Sequence, residues 1–102
     1  MLRPLTIVEG SALTTLQKKD LLNRLARVEG QLRGVQKLIA LADGPDDIEA
    51  TAQQMAAARK ALDRAFIQLL SGAIVTQSGN ATELEQARTS AAQLAALLEK
   101  YA

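Results

Sequence analysis

The side chains able to do chemistry in this 102-residue chain are bases and carboxylates, because it contains no His and no Cys. Without thiolate or imidazole the usual zinc, copper and nickel sites are excluded. His- or Cys-based nucleophilic catalysis is excluded for the same reason, and so are disulfides. No spacing sets a base beside Ser71, Ser78, Ser90 or Tyr101. No pair of carboxylates stands where acid–base catalysis would need it, so an enzyme is not expected. Four acids, Asp43, Asp46, Asp47 and Glu49, crowd one short stretch. They lack the ordered spacing and central Gly of a calcium loop, and loop solvation with helix capping accounts for them. The bases are more informative. Up to Lys37 there are seven (Arg3, Lys18, Lys19, Arg24, Arg27, Arg33, Lys37) against three acids, although the whole chain carries only +1. Segregation of this kind builds a local field that a near-neutral total conceals.

The elements that position these bases are helices. Leu21, Leu25, Val28, Leu32, Val35 and Ile39 recur at alternating spacings of four and three, a heptad seam of a helix packed along its length. Thr14 and Gln17 have capping-box spacing, so helix 1 is expected from about Thr15 to Ala42, after an arm over residues 1–13. Gly30 and Gly34 weaken it, by roughly 1 kcal/mol each relative to Ala. The compensation expected is close approach of another backbone. Asp43-Gly44-Pro45 stops the helix, and Asp46 is placed to cap the next. Helix 2, about Asp46 to Gln77, carries Ile48, Ala52, Met55, Leu62, Phe66, Leu69 and Ala73, with Arg59 interrupting the frame. Gly72 and Ile74-Val75-Thr76 are poor helix formers, and Ser78-Gly79-Asn80 is the expected break. Helix 3, about Thr82 to Tyr101, repeats the seam through Leu84, Ala87, Ala91, Leu94, Leu98 and Tyr101. The class is all-α, a single helical domain over residues 1–102. A core of Ala and Leu is lean, so burial shared across an oligomer is expected. No apolar run reaches bilayer length, and Met1–Thr15 makes a poor signal peptide. A soluble cytoplasmic protein with no membrane partner follows.

On helix 1, Arg24, Arg27 and Gln31 fall within about 60° of one another beside the seam. Lys19, Arg33 and Lys37 form a second strip on the back. Periodicity alone makes these ordinary solvated positions of an amphipathic helix. Helix 2 shifts the balance, since Lys60 and Arg64 share a face without an evident acid between them, Asp63 being placed to pair with Arg59. An unneutralised pair points to an anionic partner, and nucleic acid is the commonest. With one Phe, one Tyr and no Trp, stacking on single-stranded bases is disfavoured against duplex phosphates.

The run Asp20-Leu21-Leu22-Asn23-Arg24-Leu25-Ala26-Arg27-Val28-Glu29-Gly30-Gln31-Leu32-Arg33-Gly34-Val35 resembles the first-helix signature of the copper-sensing operon repressor family. That family includes copper, nickel/cobalt, persulfide and formaldehyde sensors. Gln54-Met55 and Ala57, then Ala61-Leu62-Asp63-Arg64, resemble its helix-2 run. The resemblance covers about Lys19 to Leu70 well and the third helix only in character. It implies three helices per chain, dimers that form an antiparallel four-helix bundle, and two dimers in a flat tetramer without a helix-turn-helix. It also implies repression by basic faces laid on operator duplex and released by a ligand. The family's DNA-contact arginines fall on Arg24 and Arg64, and Arg27, Arg33, Lys37 and Lys60 extend the patch.

The sequence departs from the family at its sensing site. A Cys at the start of helix 2, and a His and a second ligand near its end, align with Ile48, Ala73 and Gln77. None of these binds a soft or borderline metal, and the persulfide and formaldehyde chemistries need the missing thiol. The longer loop before helix 2 leaves Asp46 and Asp47 as residues that another register would bring nearer. No cofactor is expected. The reading is a homotetrameric duplex-DNA-binding repressor that copper, nickel and zinc do not control. Two alternatives stay open: a helical adaptor without DNA binding, and the same repressor answering to a small organic inducer in the apolar space around Ile48 and Ala73.

Overall fold

A computed structural model describes residues 5–80 and 83–101. The described residues form three helices: α1 (Thr15–Leu41), α2 (Pro45–Asn80) and α3 (Leu84–Tyr101). Among the described residues there is no strand, and the fold is all-α. Among the described residues no helix is long and apolar enough to cross a membrane. Residues 1–4 and Thr82, where the arm and helix 3 were expected to begin, lie outside the described residues.

The start of α1 is built as its sequence predicts. The Thr14 amide donates to Gln17 Oε1 (2.8 Å) and the Gln17 amide donates to Thr14 Oγ1 (3.1 Å), a reciprocal capping box. The junction to α2 differs from expectation. Asp46 makes no cap. Instead the Asp47 carboxylate accepts from the amides of Asp43 (3.0 Å) and Gly44 (3.1 Å). These two bonds hold its pKa below the ordinary value. No described glycine has a positive φ. Gly44 is therefore not a left-handed stop for α1 but the residue before Pro45, which occupies its favoured first helical position in α2. The break expected at Ser78-Gly79-Asn80 is absent, because α2 stays helical to Asn80.

The chain packs as two units, Leu22–Phe66 and the combination of Met1–Leu21 with Ile67–Ala102. Leu22–Phe66 is a hairpin of α1 and α2. Its interior is narrow: Val28 and Val35 on α1 are buried, and so is a small-residue seam of Thr51, Ala58 and Ala65 on α2. Each set keeps a seven-residue spacing. The Thr51 hydroxyl is satisfied by donating to the Asp47 carbonyl (2.7 Å). A fully enclosed valine contributes about 1.5–3 kcal/mol and an alanine less, so this interior is a lean one. In the other unit Leu70 and Ala73 of α2 and Leu94 of α3 are buried. There the Lys18 ammonium donates to the Val8 carbonyl, tying the arm to α1.

Candidate nucleic-acid interface

The α1–α2 hairpin has two different sides, and the helical repeat explains why. On α1, taking Val28 and Val35 as the inner seam, Leu25, Leu32 and Ile39 are turned about 50° one way. Arg24, Gln31 and Arg27 are turned about 30–90° the other way. On α2, from the seam of Thr51, Ala58 and Ala65, Ile48, Met55 and Leu62 are turned about 60° in the first sense and Arg64 about 120° in the second. The two helices of a hairpin run antiparallel, so equal turns from a shared seam arrive on the same side. One side therefore carries two apolar ladders, and the other carries Arg24, Arg27 and Arg64. Lys60 sits at the outer flank of α2 beside Arg64. Arg33 and Lys37 are on the back of α1, away from this group.

Exposure agrees with that division. Leu32, Ile39, Ile48, Met55 and Leu62 keep 48–62 % of their surface in contact with solvent. Leu32, Met55 and Leu62 line an apolar groove with Val28, Val35, Ala52, Ala56, Ala58 and Arg59. On the basic side Arg24 is half-buried, while Arg27, Lys60 and Arg64 are exposed, as are Arg33 and Lys37. Among the described residues, none of these six forms a hydrogen bond or ion pair with another side chain. The expected Asp63–Arg59 pair is not made either. Gly30 and Gly34 have no atom within 4 Å of where a Cβ would stand, so the chain itself supplies no close-approaching backbone to offset their cost.

The family model described as a metal-sensitive transcriptional repressor matches residues 17–100. The chain belongs to that family. It is a family of transcriptional repressors, not of enzymes. Neither the curated proteins nor the solved structures offer a match. The chain holds no Cys and no His, and Ile48, Ala73 and Gln77 are the positions expected from the resemblance to align with the family's sensing ligands. Ile48 is exposed and lies in the Leu22–Phe66 unit, whereas buried Ala73 and half-buried Gln77 lie in the other. An aliphatic side chain, a methyl and an amide do not fit a soft or borderline metal. Among the described residues no group of three or more His, Cys, Asp or Glu is placed to hold an ion. The Asp47 carboxylate is already engaged in capping.

Gln17 is the residue that sequence reasoning undervalues. Its spacing to Thr14 announces a cap, and nothing in the sequence announces its second role. Its Nε2 donates to the Gly72 carbonyl (3.4 Å), and its Oε1 accepts from the Thr76 hydroxyl (2.6 Å).

Proposed function

We propose that this repressor-family protein is a cytoplasmic homo-oligomer, a dimer of dimers, that binds operator duplex DNA through Arg24, Arg27 and Arg64, with Lys60 at the edge of the patch. The carrying observation is the two-sided hairpin. Its basic side holds guanidinium groups with no carboxylate partner, and its apolar side leaves two ladders half uncovered. A second copy covers the ladders, because exposed apolar rows of this kind mark association surfaces, and the opposite side stays free for phosphates. Arg33 and Lys37 on the back of α1 add to the field and stand further from the duplex. Binding draws on phosphate neutralisation and counterion release, with the arginine forks suited to bidentate phosphate contacts. The whole chain acts as one functional domain.

Release from DNA is proposed not to depend on copper, nickel or zinc, since Ile48, Ala73 and Gln77 supply no suitable donor. An organic inducer is the kind of signal those side chains can accept. An operator-shift assay, with the promoter of the protein's own gene as probe, tests the reading. A salt-sensitive shift supports it. No shift at micromolar protein, together with an intact oligomer, would instead make the chain a helical adaptor.

A further inference from the structure

The end of α2 is helical where its sequence is least suited to be. Gly72, Ile74, Val75 and Thr76 fall within little more than one turn, and each is a poorer helix former than Ala. The helix nevertheless continues to Asn80. What grips this stretch comes from the arm and the first turn of α1. Gln17 Nε2 donates to the Gly72 carbonyl (3.4 Å) and the Thr76 hydroxyl donates to Gln17 Oε1 (2.6 Å). The same Oε1 accepts from the Thr14 amide (2.8 Å). A Cβ on residue 72 would stand 3.3 Å from Leu13 Cδ2 and 3.5 Å from Gln17 Nε2, so Gly72 leaves room for both. One amide thus joins the cap of α1 to one turn of α2.

We propose that the segment Leu13–Gln17 is a strap that keeps α2 helical beyond Leu70, and that freeing Gln17 shifts the last turns of α2 toward an open, non-helical state. The strap makes the order of Leu13–Gln17 and the order of the α2 end a single equilibrium. A molecule that binds either one preferentially in the closed form stabilises the other. This inference stands apart from the DNA-binding reading and can fail without affecting it.

Hydrogen–deuterium exchange on the full chain, at one protein concentration, tests it with two variants. Gln17→Glu keeps an acceptor for the Thr14 amide, as in the usual capping box, but removes the donor to Gly72. Thr76→Val removes the other hydrogen bond while keeping the side-chain shape. Each is expected to speed exchange of the amides at residues 73–80 roughly five-fold, the effect of losing one hydrogen bond. Residues 45–66 should be unchanged. Because both variants act on one junction, the double variant should fall short of the product of the two effects. Unchanged protection at residues 73–80, or an equal rise along the whole chain, would overturn the strap.

Discussion

Replacing Gly30 and Gly34 together with Ala should stabilise the protein, and the size of the effect follows from what surrounds them. Both lie inside α1, both have ordinary negative φ, and neither has an atom within 4 Å of the added methyl. No clash therefore opposes the gain in helix propensity, which is about 0.5–1 kcal/mol for each Gly replaced mid-helix. The pair should contribute about 1–2 kcal/mol. In a domain of this size each kcal/mol moves the midpoint of thermal unfolding by about 4–8 °C. Circular dichroism at about 222 nm during heating measures it, with protein concentration held fixed because an oligomer's midpoint depends on it. An unchanged or lowered midpoint would refute the reasoning. It would mean that in the assembled protein this side of α1 is closely covered, so that the methyls meet a neighbour absent from the single chain.

Other outcomes follow from single features. Met55→Glu puts a charge in the middle of the exposed ladder on α2, and light scattering should show the oligomer falling to smaller species. An unchanged mass would remove this side as the association surface. Asp47→Asn keeps a hydrogen-bonding side chain and removes the charge that the Asp43 and Gly44 amides favour. Because the folded-state pKa is lowered, the carboxylate's contribution is fully present above the ordinary Asp range and is lost as pH falls through the lowered value. The stability difference between wild type and variant should therefore shrink on acidification, as urea unfolding at several pH values would show. Titration with Cu(I), Ni(II) or Zn(II) under reducing conditions should leave operator affinity unchanged. Tight stoichiometric binding that lowers that affinity would show that a donor set outside Ile48, Ala73 and Gln77 is at work.

The seam from Leu21 to Ile39 is legible in the sequence because its spacing is long and regular, and the buried Val28 and Val35 are its inner members. The basic strip of Arg24 and Arg27 is legible for the same reason, since angular position on a helix follows from residue number alone. Which apolar positions face inward is not. Val28 and Leu32 are equally good seam residues on paper, yet one is buried and the other half exposed. That choice depends on how the two helices roll against each other. Sequence also points to the wrong aspartate for the turn before α2. Asp46 and Asp47 are chemically identical, and only the geometry of the turn before Pro45 decides which carboxylate reaches the free amides. The end of α2 escapes a sequence reading because local propensity is a weak prior that a tertiary contact overrides, here the distant Gln17 side chain. The absence of thiol and imidazole from the chain needs no structure at all.

The central claim is that the unpaired arginines of the hairpin meet duplex phosphates, and the salt dependence of operator affinity tests it most directly. Arg24→Ala with Arg64→Ala should weaken binding to operator and unrelated duplex alike. The slope of log affinity against log salt concentration should flatten by roughly one unit for each phosphate that the variant no longer neutralises in the complex. Light scattering should show the oligomer intact. A double variant that assembles normally and keeps both the affinity and the salt slope of the wild type would contradict the claim and move the DNA-binding surface off this side of the hairpin.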